Sequence, residues 1–397
     1  MSENKKEVVI VGIARTPVGS FQGSLASLKA PQLGEIAISR ALERAGVKPS
    51  DVQEVFMGNV LQAGIGQAPA RQAMIAAGIP TSTPATTINK VCGSGMKAII
   101  SGMQSILLGD NDVVVAGGME SMSNAPYLLP NARGGLRMGN APFIDSMIND
   151  GLWDPYNNQH MGNCGELCAK EKGFTREMQD AFAIDSFKRA QSATASGKFK
   201  DEMAPITIVG KKGDQVVVDT DEGPAKVNFD KIPTLRPAFD KAGTVTAANA
   251  STLNDGASAV VLMSAEKAKA MGIKPLAKIV SYGGFAQDPV WFTTAPAEAM
   301  KRAMKKVDWD VNSVDLFEVN EAFAVVTMAA EKDLKIPHDK VNIYGGAISI
   351  GHPIGSSGCR IVVTLINALK QTGKKRGVAG ICIGGGEATA LCVEMIS

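Results

Sequence analysis

The sequence predicts an α/β layered fold made from two copies of one unit, with a long insertion after the first. Three observations carry this. Short, continuously apolar strands alternate with helix-like runs, the pattern of sheets covered on both faces. The same order of elements returns in the last third of the chain. Between the copies, residues 123–253 are richer in Asn, Pro, Met and Lys, and the periodicity breaks.

Residues 8–12 (VVIVG) read as a buried strand, 33–45 as an amphipathic helix stopped by Gly46, and 55–58 as a second strand. Residues 86–89 are strand-like, 97–107 helical, and 113–118 (VVVAGG) another apolar strand. In the second copy, 298–306 is helical and 316–320 a strand. Gly355-Ser356-Ser357-Gly358 then opens a helix, and 380–383 is a strand. Two matches are tighter than pattern alone: Val55-Phe56-Met57-Gly58-Asn59 with Leu316-Phe317-Glu318-Val319-Asn320, and Ala116-Gly117-Gly118-Met119-Glu120 with Ile383-Gly384-Gly385-Gly386-Glu387. Arg40 and Arg302 keep nearly the same offset ahead of the first pair. Within the insertion, 175–192 reads as a helix with Thr175 as N-cap and Glu177 in its first turn. Turns at 131–135 and 211–214 surround it, and the region suits a lid or ligand-binding layer.

Composition narrows the function. Forty-one basic residues against 39 acidic give a net charge of +2, which argues against a nucleic-acid surface. No apolar run reads as long enough to span a membrane. Residues 1–7 are short and polar, unlike a secretory signal or transit peptide, so the cytoplasm is the expected compartment. The six cysteines are 92, 164, 168, 359, 382 and 392, and a reducing setting is the default for them. Cys164 and Cys168 share a helix face without a second ligand pair, so no metal site is expected; Cys359 and Cys392 read as core.

Three glycine-rich turns carry the chemistry. Val91-Cys92-Gly93-Ser94-Gly95 places Cys92 at a helix N-terminus, where amides and the helix dipole favour a thiolate. The same stretch fits G-x-G-x-x-A, but without the following acidic residue of a dinucleotide site; Gly64-Ile65-Gly66 is weaker, and no Walker A loop is present. Gly351-His352-Pro353-Ile354-Gly355 presents an imidazole at a loop tip, suited to taking the Cys92 proton. Cys382-Ile383-Gly384-Gly385-Gly386 puts a second thiol at a strand end, suited to removing a carbon-bound proton. Asn320, at another strand end, can hold a water or an oxyanion. His338, in a turn, reads as simply exposed.

Together Val91-Cys92-Gly93-Ser94-Gly95-Met96, Asn320-Glu321-Ala322-Phe323, Gly351-His352-Pro353-Ile354-Gly355 and Cys382-Ile383-Gly384-Gly385-Gly386 resemble the four active-site blocks of the thiolases, in the right order along nearly the whole chain. Gln159-His160-Met161-Gly162 is similar to the signature of their short-chain acetyl-CoA acetyltransferases, and Thr246-Ala247-Ala248-Asn249-Ala250-Ser251 to their coenzyme A segment. The resemblance implies a duplicated five-layer α-β-α-β-α fold. It divides the chain into residues 1–122 with 254–275, an inserted loop domain at 123–253, and 276–397.

It also implies a mechanism: His352 activates Cys92, which is acylated by a thioester, and Cys382 serves as acid and base at the α-carbon of a second acetyl-CoA. His352 with a water on Asn320 forms one oxyanion hole, and the amides of Cys92 and Gly384 the other. Coenzyme A is substrate and product, with acetoacetyl-CoA the condensed partner, and neither metal nor redox cofactor is expected. Leu152, His160, Met161, Leu235, Phe239, Ala247, Ser251, Ala322 and Phe323 are the implied contacts of the acyl-CoA. Lys226 stands where relatives carry an arginine near the adenine, and Pro224 where a potassium-activated branch has tyrosine. Phe292 resembles the branch that accepts 2-methyl substrates. Residues 124–145 resemble a tetramer-tethering loop, so a homotetramer is expected. A longer-chain thiolase, a ketoacyl-synthase-type condensing enzyme, a silent acyl-CoA carrier on the same fold and a nicotinamide dehydrogenase are the alternatives. Physiological direction is open, since both directions use the same residues.

Overall fold

In the computed structural model, which describes residues 6–210 and 212–396, the apolar runs form strands β1 (Val8–Arg15), β2 (Glu54–Gly58), β3 (Ala85–Ile88), β4 (Val113–Ser121), β5 (Asn254–Ser264), β6 (Ala277–Ala286), β7 (Leu316–Val319), β8 (Arg376–Ile383) and β9 (Glu387–Met395). Their order is β7-β8-β9-β6-β1-β5-β4-β2-β3. In the first half β2 runs parallel to β3 and β4, and β5 lies antiparallel between β4 and β1. The second half repeats this: β7 is parallel to β8, β9 antiparallel to β8 and β6, and a parallel bridge from Phe317 to Val341 stands where β3 pairs with β2. The halves join where Val8, Val9 and Ile10 of β1 meet Ile279, Lys278 and Ala277 of β6.

Helices cover both faces of each half, which is why every residue of β1, β4 and β5 is buried. Helices α1 (Ala30–Ala45) and α2 (Pro69–Ala76) pack outside the first half. α3 (Ser94–Leu108) and α8 (Ile354–Thr372) lie between the halves, with Met96, Ile99 and Met103 of one in the same core as Ile361, Val362 and Leu365 of the other. α6 (Ala295–Lys305) covers the outside of the second half. The insertion adds α4 (Met161–Lys172) and α5 (Arg176–Ala195), which share a core with α7 (Ala324–Leu334). The layers are therefore α-β-α-β-α.

Two sequence expectations need correction. The segment Val91–Leu108 is apolar and long enough to cross a membrane, contrary to the sequence reading, but it is mostly buried as the central layer. The second repeat match is out of register: β2 pairs Gly58 with Gly118, while β7 pairs Val319 with Gly380, so Gly118 corresponds to Gly380 and not to Gly385. The shared Gly-Gly texture aligned by composition, whereas hydrogen bonding fixes the strands differently. His338 is exposed, as expected, and its ring bonds Glu331 (2.8 Å) and Asp185 (2.9 Å).

α3 and α8 meet through glycines. A Cβ on Gly95 would stand 2.8 Å from the Cys359 nitrogen, one on Gly358 2.6 Å from the Met96 nitrogen, and one on Gly118 would overlap the Gly355 carbonyl oxygen. We therefore expect Gly118→Ala to lower stability by about 1–3 kcal/mol through overpacking. Urea unfolding checks this, and an unchanged midpoint would contradict the close-contact assignment.

Candidate active site

Cys92 is aimed by a strained turn. After β3, Asn89 Oδ1 accepts from the Val91 N–H (3.0 Å); Ser94 Oγ accepts from the Lys90 N–H (2.8 Å) and donates to the Val91 carbonyl (2.6 Å). Val91 is thereby held at φ +45°, a conformation a β-branched residue avoids at a cost of about 1–3 kcal/mol. Gly93 follows because a Cβ there would overlap the Ile383 side chain. Cys92 is half-buried, and the backbone amides of Gly384 and of Cys92 itself are oriented to favour its thiolate. The expectation of a lowered thiol pKa fails: burial outweighs the two amides and pushes it up to about 11.

His352 precedes α8 and is 5% exposed. Its N–H donates to Asn254 Oδ1 (2.9 Å), and Nδ1 lies 2.7 Å from Ser357 Oγ. That hydroxyl donates to the Pro353 carbonyl (3.0 Å), so it receives the Nδ1 proton and Nε2 carries the lone pair. Nε2 has no hydrogen-bond partner among the described residues. Burial, then the Arg360 charge, pushes the imidazolium down to about 3, so the ring is neutral at physiological pH.

Asn320 is fully buried just after β7, its N–H bonded to the Gly380 carbonyl (3.0 Å). Neither polar atom of its amide group has a partner among the described residues. Cys382, at the end of β8, is also fully buried. Burial, then the neighbouring Cys92 thiol, raises its pKa well above the ordinary value.

These elements border a mainly apolar cavity of about 550 Å³. Its wall includes Cys92, His352 and Gly384 at the chemical end. The expected contacts Leu152, His160, Met161, Phe239, Ala247, Ser251, Phe292, Ala322 and Phe323 are there as well. His160 Nδ1 caps α4 by accepting from Gly162 N–H (3.0 Å), and its ring stacks on Phe239 at 4.6 Å. Cys382 and Asn320 are buried and are not among the wall residues, though the Cys382 thiol is close enough to feel Cys92. Lys226 and Leu235 are off it: Lys226 is tied to Glu222 (2.7 Å) and Ser20 (2.9 Å), and Leu235 is half-buried in its loop. Lys226 is nonetheless held beside the cavity, because Ser20 is itself part of the wall. Cys164 and Cys168 lie buried in the insertion core, and among the described residues no His, Cys, Asp and Glu cluster could hold a metal.

Sequence reading missed the residues that hold these groups. Asn254 and Ser357 fix the His352 ring. The buried Glu321 carboxylate accepts from Ser186 Oγ (2.7 Å), Asn342 Nδ2 (2.8 Å) and Ile348 N–H (3.2 Å), bracing the segment before His352. A lone acidic residue inside an apolar run, as at Glu120 or Glu318, was the available signal. The wall residues Met122, Met147 and Ile354 gave none, since they are ordinary apolar positions.

A duplicated five-layer fold that sets Cys92 and His352 on one apolar cavity, with the Cys382 thiol coupled to Cys92 and Asn320 buried off the wall, defines a thiolase. Residues 8–266 match the family described as thiolase, N-terminal domain, and residues 273–395 that described as thiolase, C-terminal domain; the chain belongs to the thiolase family. It is 54% identical to an acetyl-CoA acetyltransferase of Cupriavidus necator over 98% of this chain and 99% of that one. It is 54% identical to a probable acetyl-CoA acetyltransferase of Dictyostelium discoideum, covering 100% and 95%. The crystal structure of Acat5 thiolase from Ascaris suum in complex with coenzyme A superposes with a TM-score of 0.94 at 45% identity, covering 98% of this chain and 100% of that one.

Cys92 is the one half-buried cysteine; the other five are buried. Iodoacetamide should therefore modify Cys92 at least about tenfold faster than any other, and coenzyme A should protect it. Peptide mapping after partial alkylation reads this out, and equal labelling of Cys164 or Cys359 would contradict the assigned exposures.

Proposed function

We propose that the protein is an acetyl-CoA C-acetyltransferase, condensing two acetyl-CoA molecules to acetoacetyl-CoA and coenzyme A and running the reverse thiolysis through an acyl-cysteine. The observation that carries this reading is the meeting of Cys92, the free His352 Nε2 and the Gly384 amide on one apolar cavity.

In the first half-reaction the Cys92 thiol proton passes to His352 Nε2, and the sulfur attacks the acetyl-CoA carbonyl. The tetrahedral intermediate collapses; the coenzyme A thiolate leaves with the proton of Cys382, Cys92 is acetylated, and His352 keeps the Cys92 proton. The backbone amides of Cys92 and Gly384, which favour negative charge at this sulfur, would serve charge on the adjoining oxygen. In the second half-reaction Cys382, as thiolate, takes the α-proton of a second acetyl-CoA. The carbanion attacks acetyl-Cys92, forms the carbon–carbon bond and expels the Cys92 thiolate, which recovers its proton from His352 Nε2, so both thiols end protonated and the ring neutral. Charge on the second thioester oxygen faces His352 and a water held by Asn320. Each step uses the chain's own thiols, imidazole and amides, with coenzyme A as substrate and product and no metal or redox cofactor required. Lys226, beside Ser20 at the wall, offers a cation to the nucleotide end of coenzyme A once released from Glu222. A reducing, cytoplasmic setting suits a site that depends on free thiols.

The test is thiolysis of acetoacetyl-CoA by coenzyme A. Wild type should turn over, Cys92→Ala should lose more than about 10³-fold in kcat, and His352→Ala about 10²–10⁴-fold. A folded, reduced wild type without turnover sinks this reading, and a longer 3-ketoacyl-CoA series then tests the broader-chain alternative.

We propose a homotetramer as the assembly. Tyr127, Leu136, Met138 and Phe143 all expose large apolar side chains on the segment of residues 124–145, a cost that burial against other subunits would remove. Light scattering at micromolar concentration should give the mass of four chains; the mass of two would overturn it.

A further inference from the structure

Glu120, next to the end of β4, takes no part in the steps above, yet it is fully buried and drawn on by four donors. Oε1 accepts from Asn59 Nδ2 (2.8 Å) and the Leu61 N–H (3.2 Å); Oε2 accepts from the N–H groups of Val60 (3.0 Å) and Gly355 (3.0 Å). Three of these donors belong to the loop after β2, in the first half of the molecule. The fourth opens α8, three residues after His352, in the second half. α8 has no side-chain cap and no acidic residue in its first turn, so a carboxylate from the opposite half fills that role. The fit is tight: a Cβ on Gly355 would stand 2.7 Å from Glu120 Oε2 and 3.0 Å from the Asn59 Cα. A Cβ on Gly58, just before this loop, would stand 2.6 Å from the Ser94 carbonyl carbon, two residues after Cys92. The carboxylate thus lies between the turn that carries His352 and the strand end on which the Cys92 helix rests.

We propose that Glu120 is a positioning residue of the reaction: by clamping the His352 turn to the ends of β2 and β4, it fixes the path along which Cys92 passes its proton to His352. The kinetic consequence rests on the acetyltransferase reading; the clamp does not.

Electrostatics makes the clamp observable. Burial pushes the Glu120 carboxyl up to about 7 against the pull of its amide donors, with Asp255 adding to the rise. Its charge in turn disfavours the Cys92 thiolate. The titratable groups coupled to it are Asp255 on β5 and Cys92 before α3, with His352 in the clamped turn itself; the Asn59-Val60-Leu61 loop brings none. His352, at about 3, and Cys92, at about 11, titrate far from neutrality. Below the Glu120 midpoint the opposing charge is absent and the thiolate is easier to form; above it the charge is present and thiolate formation is held back. Alkylation of Cys92 should therefore rise with pH, flatten through neutrality, and rise again.

The experiment compares wild type with Glu120→Gln across neutral pH, reading Cys92 alkylation by mass spectrometry and acetoacetyl-CoA thiolysis by steady-state kinetics. In Glu120→Gln the alkylation rate should climb without a step. Above neutrality it should exceed wild type about three- to tenfold. Because the His352 turn is loosened, kcat should fall about 100-fold. KM for coenzyme A should stay within about threefold, since Glu120 does not line the cavity. Superimposable alkylation profiles, or a kcat within about threefold of wild type, would overturn the proposal. Should the variant not fold, the wild-type profile decides: a step near neutrality supports the clamp and a straight line refutes it. A wild type that shows the step but does not cleave acetoacetyl-CoA keeps the clamp and removes the acetyltransferase reading.

Discussion

The closeness of α3 to α8 is the constraint on which the site depends. Cys92 and His352 come from opposite halves of the chain, and each sits at the N-terminal end of one of these helices. The two ends can meet because Gly95 and Gly358 place backbone against backbone, and because Gly58, Gly118 and Gly355 let the β2 and β4 strand ends press on the same point. Where glycine cannot supply the contact, hydroxyls do: Ser258 of β5 meets Ser356 of α8 at 2.8 Å between their oxygens. The small residues that lower strand and helix propensity here are the residues that permit the crossing.

A second requirement follows from building a site between two halves and an insertion. Their relative placement must be specific, and apolar packing alone tolerates small slips. Buried charge supplies direction. Arg15 of β1 forms a fork on Asp221 (2.7 and 2.9 Å) and also pairs with Glu202, which accepts from Thr364 (3.0 Å) and Asn367 (2.8 Å) of α8. The first half, the insertion and the central helix are thereby held at one junction. Arg360, a turn before Thr364, faces Glu318 at 3.5 Å and adds to the field that keeps the His352 ring neutral. Such pairs add little net stability for their desolvation, but removing one partner leaves a buried charge uncompensated, which costs about 3–5 kcal/mol. They act as register pins.

The extent to which this was legible in sequence follows from the same packing. Strands such as β1 and β4, covered on both faces, announce themselves as apolar runs. β5 begins Asn254-Asp255-Gly256-Ala257-Ser258, a stretch without β-branched residues whose Gly256 and Ser258 face Pro353 and Ser356 at the start of α8; it did not read as a strand. Duplication was visible in the β2 and β7 segments, yet the glycines of β4 aligned with those just after β8, out of register, since glycine similarity carries no information about pairing. Cys92, His352, Cys382 and Asn320 stood out because reactive residue types at glycine turns are uncommon, and the family resemblance joined them. The supporting residues did not: Asn254, Ser357 and Glu321 matter only through partners distant in sequence. Helix-terminus reasoning also misjudged the Cys92 thiol, because it weighs local dipoles and cannot see that burial is the larger effect.

That last correction bears on how the site can work. A thiolate held permanently at Cys92 would be exposed to oxidants and would repel charge developing at Cys382. Here desolvation keeps both thiols protonated and His352 unprotonated, so the resting site carries no net charge on its reacting groups. Charge separation becomes favourable only when a thioester carbonyl accepts it and amide donors already stand in place. The same desolvation makes Cys382, once it has lost its proton, a stronger base than an exposed thiolate, as an α-carbon proton requires. Burial therefore suppresses idle reactivity at one sulfur and raises basicity at the other, and Cys92 differs from Cys382 chiefly in reaching the cavity wall.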